Sequence, residues 1–316
     1  METGIFAYLD ILGFSSAVRL QEGVSALSLL DQINLVLQEK YVDGKLREKR
    51  KGKHTDPLVE KLNSNIEITA FKYFFCVSDS IFIFGTDVNL FVCQLANFVR
   101  ACYSMGQMPE EPIVLLRGGI SYGNVQLITL KRGIEGKLQN NWSIFGQPVV
   151  NAVEYEKKFG LKGPRLILDS EVYSKLNSEI RETYISKLKL NHNLTNEKVY
   201  YEILWPAFEF IKENLGIINE VGQMRELLTL AYKNFQKYLS APNIVEHYNS
   251  LLELILRSAQ QFFSINGHEK EFKNYIEEIT KNVKPDLEVF NEIYWSLDFR
   301  NYLYKIYNER VLNQNS

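Results

Sequence analysis

Two aspartates stand in matching local settings, Asp10 in FAYLDILGFS and Asp79 in FFCVSDSIFIF. Each follows an apolar run of β-prone residues, which predicts that each carboxylate is fixed at a strand end or in a tight turn. Carboxylate oxygens on a rigid backbone are hard ligands that suit Mg²⁺ or Mn²⁺, and such ions usually bind through one or two carboxylates plus substrate phosphates. The pair therefore predicts a divalent-metal site.

The turn after Asp10 offers a second kind of binding group. Gly13, Phe14 and Ser15 lead from the strand into an apolar-periodic segment, and backbone N–H groups at a helix start suit a triphosphate. Taken alone, Asp10 is better explained as a helix cap or turn residue than as a metal ligand. Asp79 interrupts a run of aromatic and β-branched residues, where an unpaired charge is costly unless it faces solvent, a partner or a metal. The two aspartates together favour the metal site.

Alternating strand-like and helix-like segments must position these residues. Hydrophobic periodicity predicts strands over 4–10, 66–75, 80–86, 112–123, 124–130, 165–170 and 198–206, and helices over 16–41, 88–105 and 146–160. The second and third strands form a hairpin around Asp79, and the next two are predicted to form a second hairpin. This order predicts an α+β sandwich, with one mixed sheet and helices packed against it.

The chain changes character after about residue 206. Segments 227–239, 245–263 and 272–283 carry apolar residues at three- and four-residue steps, which predicts helices. We therefore divide the chain into a catalytic domain over 1–206 and a helical C-terminal extension over 207–316. Residues 44–53, GKLREKRKGK, are strongly basic; a solvated loop is the simpler interpretation, and a basic flap over an anionic substrate is the alternative.

Composition narrows the class of protein. With 316 residues, 46% of them hydrophobic, the chain can bury a sizeable core. A formal net charge of −2 argues against a general nucleic-acid binder. The three cysteines lack metal-type spacing, which fits buried thiols in a reducing cytosol, and the four histidines are scattered. Because no basic leader or membrane-length apolar run is evident, we expect a cytoplasmic protein without membrane contact.

Four ordered motifs resemble the class III nucleotidyl cyclases. FAYLDILGFSS resembles the opening strand, turn and helix of that family, VSDSIFIFG its metal hairpin, LLRGGISYGNV its arginine–glycine strand, and FGQPVVNAVEYE its glycine–valine–alanine helix. The motifs cover about residues 4–170 in the family's order. The resemblance implies a ferredoxin-like βαββαβ core, metal-binding roles for Asp10 and Asp79, and a homodimer whose active sites form between protomers.

Departures from the family pattern bear on the substrate. The lysine that reads the base in purine cyclases is replaced by Tyr73, and the residue three before the helix glycine is Ser143. Val150 and Glu154 replace the asparagine and arginine of the helix, and Asn151 stands one step along. A short cyclase with these changes resembles the pyrimidine cyclases of bacterial Pycsar antiphage systems. That resemblance implies UTP or CTP as substrate, and cyclic UMP or cyclic CMP as a signal to a separate effector.

The same resemblance implies two-metal phosphoryl chemistry. Two Mg²⁺ or Mn²⁺ ions would be held by Asp10, Asp79 and a backbone carbonyl near Ile11, activating the ribose 3′-OH and neutralising the leaving pyrophosphate. Arg117 is interpreted as a donor to a pyrimidine carbonyl, or else as the partner of a structural carboxylate. Tyr73 is interpreted as a wall of a small base pocket, although a tyrosine is more often a core residue.

Two other functions fit the same sequence. The chain is alternatively a non-catalytic nucleotide-sensing or dimerisation module, which Val150 and Glu154 favour and the retained aspartates oppose. A polymerase-like palm enzyme shares the two-carboxylate sandwich. The low net charge and the lack of an evident nucleic-acid module disfavour the palm enzyme.

Overall fold

The structure, a computed structural model, describes most of the chain. The described residues are 1–14, 30, 31, 33, 34, 36, 70–104, 113–134, 137–158, 161–188, 199–209, 217–233, 242–280 and 296–312. The helix predicted over 16–41 is described only at the five positions between 30 and 36. Ser15 and the basic segment 44–53 lie outside the described residues.

Eight strands form the sheet in the described part of the chain. They are β1 (Glu2–Ile11), β2 (Tyr73–Val77), β3 (Ser80–Gly85), β4 (Leu116–Ile134), β5 (Lys137–Phe145), β6 (Leu166–Asp169), β7 (Ile185–Lys187) and β8 (Tyr200–Ile203). Their order is β2-β3-β1-β4-β6-β8-β7, with β5 paired to β4. The first four strands, β2-β3-β1-β4, are antiparallel to one another at each pairing, and their order is that of a ferredoxin-like βαββαβ core. β4 is parallel to its other neighbour, β6. The predicted α+β fold is confirmed.

Helices cover both faces of this sheet. They are α1 (Val88–Ser104), α2 (Gln147–Lys158), α3 (Ser170–Lys175), α4 (Ser178–Tyr184), α5 (Ile217–Lys233), α6 (Pro242–Ile265), α7 (Glu269–Thr280) and α8 (Leu297–Ile306). Alternation along β1 separates the two faces: Ile5, Ala7 and Leu9 belong to the large core with α1 and the C-terminal helices. Phe6 and Tyr8 belong to a smaller core under α2.

The second predicted hairpin is wrong. Residues 112–123 and 124–130 do not form two paired strands, because β4 continues through this region as one strand and pairs with β5. The boundary between the two predicted strands falls between Gly123 and Asn124, but Gly123, at φ +148°, lies inside β4 and stays paired with Gly4 of β1. The true reversal lies between β4 and β5, where the sequence analysis predicted no strand after residue 130.

The helical part after residue 206 packs directly on the sheet. Its buried residues, among them Leu228, Leu252 and Phe262, join Ile5 and Leu168 in one continuous apolar cluster. The predicted helical C-terminal region is confirmed. The boundary at 206/207 stays a prediction, since a shared core does not mark where one domain ends.

A buried network of ion pairs ties this helical part to the sheet. Arg165, just before β6, contacts Glu202 of β8 at 3.1 Å and Glu253 of α6 at 2.9 Å. Arg257 of α6 also contacts Glu202. Burial raises the pKa of Glu202, but Arg165 and Arg257 outweigh that effect and hold the pKa below its usual range. Glu202 is therefore an ionised carboxylate inside the protein at neutral pH.

Within the described ranges, no helix has the length and apolar character needed to cross a membrane.

Replacing Glu202 by glutamine should lower the free energy of unfolding by about 3–5 kcal/mol at pH 7, because two buried guanidinium groups lose a shared counter-charge. Urea denaturation followed by circular dichroism measures this. Glu226→Gln, at an exposed position of α5, removes the same charge and should change stability by less than about 0.5 kcal/mol. Equal effects of the two substitutions would contradict the role given to the buried network.

Candidate metal and nucleotide site

Asp10 occupies a fixed position near the end of the central strand β1. It is paired with Ser80 of β3 on one side and with Arg117 of β4 on the other. Because both edges of β1 are hydrogen-bonded here, the backbone of Asp10 has no freedom to move independently of the sheet. Its side chain lies on the same face as Tyr8, whose hydroxyl is 3.1 Å from Ser80 Oγ.

Asp79 lies in the tight turn between β2 and β3. The preceding Ser78 adopts φ +57°, a left-handed conformation that costs a non-glycine residue about 1–2 kcal/mol. The backbone N–H of Ile11 donates to the carbonyl oxygen of Asp79 at 2.9 Å. This bond joins the end of β1 to the hairpin turn and brings the two aspartates to the same end of the sheet.

The two carboxylates influence each other electrostatically. Burial raises the pKa of Asp10 above its usual range, and the negative charge of Asp79 raises it further, whereas Arg117 opposes the increase. Two carboxylates at one sheet end repel each other, and a divalent cation between them would relieve that repulsion.

Arg117 and Glu156 complete a row of charges beside Asp10. Arg117 Nε donates to Asp10 Oδ2 at 3.1 Å, and Nη2 lies 3.1 Å from the same oxygen. Arg117 Nε also lies 2.6 Å from Oε1 of Glu156, a residue of α2. The interpretation that Arg117 pairs with carboxylates of its own chain is what the structure shows. Its contact with a pyrimidine stays a prediction.

Helix α2 reaches Arg117 because it lies unusually close to β4. A Cβ added at Gly119 would be 2.1 Å from the carbonyl oxygen of Ala152, and one at Gly123 would be 2.9 Å from Pro148. Pro148, Ala152 and Glu156 follow one another at four-residue steps along one side of the helix. The glycines therefore allow the helix to pack closely against the strand, and this packing brings the Glu156 carboxylate next to Arg117.

The donor set fits a cation that completes its coordination with substrate. No group of three or more His, Cys, Asp or Glu side chains arranged for a metal occurs among the residues that the structure describes. Two carboxylates are what Mg²⁺ commonly takes from protein in nucleotide enzymes, with phosphates and water supplying the rest. Asp10, Asp79 and the backbone at Ile11 match this requirement, although Arg117 already neutralises part of the Asp10 charge.

Of the predicted phosphate-binding residues, Gly13 and Phe14 lie directly after β1. Gly13 has φ +84° with no other atom within 4 Å of the position of a Cβ, so the turn is open on that side. The Phe14 side chain is buried in the large core, so only its backbone can face a ligand. Ser15 lies outside the described residues.

Tyr73 is not close to Asp10 in the same protomer. It pairs with Phe84, which pairs with Phe6, four positions before Asp10 on β1. At about 3.3 Å per residue and about 4.8 Å per strand, this offset separates the Tyr73 and Asp10 backbones by about 16 Å. The structure therefore brings Asp10, Asp79 and Arg117 together and leaves Tyr73 at a second location.

Tyr73 lines a pocket of about 390 Å³ at this second location, together with Met1, Glu2, Phe84, Val125, Gln126 and Leu127. Its ring stacks on Phe84 at 5.8 Å between centroids, and its hydroxyl donates to Glu2 Oε1 at 3.2 Å. Tyr73 is thus half-buried, with an apolar body and a polar tip at the pocket.

The α2 residues that differ from the cyclase motif lie on the side of the helix that faces away from the sheet. Val150 and Glu154 are exposed, whereas Asn151 faces its own sheet and donates to Ser121 Oγ at 3.3 Å. Ser121 and Tyr155 in turn donate to Asp169 Oδ2 at 3.0 and 3.1 Å. Asn151 therefore takes part in a polar network within the chain.

Glu156 was missed by the sequence analysis. The motif comparison ended at a glutamate without assigning it a role, and its contact with Arg117 depends on how a helix crosses a strand. Helical periodicity did carry a signal, since Glu156 follows Ala152 by four residues and shares its buried side. An acidic residue on the buried side of a helix needs a partner, and that was the available clue.

Known proteins resemble this chain in structure and not in sequence. No protein-family model matches the sequence, and no curated protein matches it. Among solved structures, the guanylyl cyclase Cya2 is similar over 64% of this chain and 92% of its own, with 12% identity and a TM-score of 0.40. A bacterial light-regulated adenylyl cyclase is similar over 73% of this chain and 58% of its own, with 12% identity and a TM-score of 0.42.

A class III adenylyl cyclase-like ATP-binding protein from Pseudomonas aeruginosa is similar over 58% of this chain and 36% of its own, with 15% identity and a TM-score of 0.36. The strand order of the described sheet is that of a ferredoxin-like core, and Asp10 and Asp79 lie at one end of it.

Proposed function

We propose that this chain is a cytoplasmic class III nucleotidyl cyclase that converts UTP or CTP into the 3′,5′-cyclic monophosphate and pyrophosphate. The observation that carries the proposal is the bond from the Ile11 N–H to the Asp79 carbonyl, which sets Asp10 and Asp79 side by side at one end of a ferredoxin-like sheet. The product would be a second messenger for a separate effector in antiviral defence.

Each residue of the site has a role in this proposal. Asp10, Asp79 and the Ile11 carbonyl would hold two Mg²⁺ or Mn²⁺ ions, which supply the positive charge that activates the ribose 3′-OH and stabilises the leaving pyrophosphate. The backbone N–H groups at Gly13, Phe14 and Ser15 would bind phosphate oxygens at the start of a helix. The fixed sheet positions of the aspartates would hold the nucleotide for in-line displacement, so no covalent intermediate with the protein is needed.

The distance between Tyr73 and Asp10 supports a site shared between two protomers. For its base to reach Tyr73 of the same chain, a nucleotide bound at Asp10 would have to extend across this backbone offset of about 16 Å. In a head-to-tail homodimer with two paired sites, Tyr73 of the second copy can approach the base instead. In this arrangement the Tyr73 pocket limits the size of the base, and Arg117 remains a candidate donor to a pyrimidine carbonyl.

A non-catalytic nucleotide-binding module is the second candidate function. The observation in its favour is the ion pair between Arg117 and Asp10, because a guanidinium on this carboxylate competes with a metal ion. Both functions predict nucleotide binding, and only the cyclase predicts a cyclic product.

Asp10→Ala or Asp79→Ala should abolish cyclisation and leave the protein folded, because each removes a carboxylate at the surface end of the sheet and no core side chain. Product formation is measured by mass spectrometry under saturating Mn²⁺, and folding by thermal unfolding. Glu226→Ala, an exposed position far along the chain, is the control and should keep wild-type turnover. Normal turnover by either aspartate variant would refute the metal assignment.

Val150→Asp should convert a dimer into a monomer and remove activity at the same time. Val150 is 51% exposed on α2, the helix expected to face the partner's Asp10 and Asp79, and a charge there is costly to bury at an interface. Light scattering after size-exclusion chromatography gives the oligomeric state. Ile265→Asp alters an apolar residue that is 47% exposed on α6 and should change neither property. A fully active monomer would contradict the shared site.

Incubation with each of the four nucleoside triphosphates and Mn²⁺ should give cyclic UMP or cyclic CMP in large excess over purine products. A buried polar group left unpaired by the wrong base costs about 1–3 kcal/mol, and a purine must also fit its second ring. Tyr73→Ala should raise the ratio of purine to pyrimidine turnover about tenfold, since it widens the pocket. Arg117→Ala should lower pyrimidine turnover. Efficient cyclic AMP synthesis by the wild-type protein would refute the choice of base and leave the cyclase assignment standing.

A further inference from the structure

Asp10, Arg117 and Glu156 come from three different elements and form one row of charges. One guanidinium lies between two carboxylates, with 19% of the Asp10 side chain, 27% of the Arg117 side chain and 2% of the Glu156 side chain exposed. Glu156 is thus the most deeply buried of the three, and Arg117 is the cation that approaches it at 2.6 Å.

The two carboxylates do not share the guanidinium equally. Arg117 Nε donates its hydrogen bond to Asp10 Oδ2. Glu156 Oε1 accepts no hydrogen bond of acceptable geometry from the described residues, although it lies closer to the same nitrogen. A buried carboxylate oxygen held by charge alone has unused capacity to accept hydrogen bonds. Arg117 therefore points at Asp10 and has a second carboxylate within reach.

This arrangement matters when a divalent cation approaches Asp10. The cation competes with a guanidinium for the same oxygen, and a displaced buried guanidinium is costly unless another carboxylate receives it. Glu156 can receive Arg117 after a change of side-chain angle alone, because the two groups are already in contact and α2 is held against β4 at Gly119.

We propose that Glu156 is a positioning residue. It forms an ion pair with Arg117 when a divalent cation binds Asp10, and it thereby sets the affinity of Asp10 for the cation. This inference rests on the proposed metal site and extends it to a residue that does not touch the metal. Arg117 pairs with Asp10 in the absence of the cation and with Glu156 in its presence, so Asp10 has a positive partner and Arg117 a carboxylate partner in both states.

Mn²⁺ binding without nucleotide tests the inference by electron paramagnetic resonance of the free ion. Glu156→Gln should raise the Kd for Mn²⁺ about tenfold, because Arg117 is then left with Asp10 as its only carboxylate and a nearby negative charge is lost. Arg117→Gln should lower the Kd. In the Arg117→Gln background, the further change Glu156→Gln should have a clearly smaller effect than in the wild-type protein, since the residues act through each other. Glu226→Gln is the control for net charge and should leave the Kd unchanged.

A measurement on the wild-type protein keeps the inference testable if a variant does not fold. Titration with Mg²⁺ should shift the Nε–H resonance of Arg117 in a ¹⁵N spectrum, with the signal assigned through Arg117→Lys. An unmoved resonance at saturating Mg²⁺, or an equal effect of Glu156→Gln in both backgrounds, would overturn the role of Glu156 alone. Absence of Mn²⁺ binding by the wild-type protein would instead refute a cation site that forms without nucleotide, and with it the role of Glu156, while the Asp10 and Asp79 variants still test the proposed function.

Discussion

The pairing of β1 on both edges is the constraint on which the rest of the site depends. β3 on one side carries the turn with Asp79, and β4 on the other carries Arg117, each in register with Asp10. A shift of one residue in either pairing would turn a whole set of side chains to the opposite face. The alternation of Ile5, Ala7 and Leu9 toward the large core prevents such a shift, because it would expose them to the face occupied by α2. Apolar burial thus fixes where the charges meet.

The close packing of α2 against β4 is the second feature that fixes where the charged groups of the site lie. Side chains at Gly119 or Gly123 would hold the helix away from the strand, and the Glu156 carboxylate would then lose its contact with Arg117. The glycines lack side-chain chemistry, yet they determine how far apart the charged groups lie. The proposed metal site and its electrostatics are therefore as sensitive to backbone packing as to the charged residues themselves.

Local pattern in the sequence was sufficient for β1, which carries Asp10, and for β3, which follows Asp79, because alternation and turn residues are local properties. The helices after residue 206 were predicted for the same reason. The strand predicted over 66–75 overlaps β2 only at 73–75, and residues 70–72 are not part of a strand. The continuation of β4 through Gly123 could not be predicted, since a Gly-Asn pair permits both a turn and a continuous strand, and pairing with the distant strand β1 decides between them. The contacts of Arg117 depend on register across strands and on a helix crossing, and neither is encoded by neighbours in the chain. The separation of Tyr73 from Asp10 could not be predicted either, because it also depends on the register between strands.

The buried pairs between Arg165, Glu202 and α6 have a consequence for how the chain is synthesised. Arg165 and Glu202 leave the ribosome well before Glu253 and Arg257, and the strands that carry the first two form the part of the sheet next to β4. Until α6 has emerged, Arg165 and Glu202 pair only with each other and this half of the sheet has an uncovered apolar face, so it cannot close its core. The sheet that carries Asp10 and Asp79 therefore becomes fully packed only after α6 has emerged from the ribosome, and any activity would follow that point.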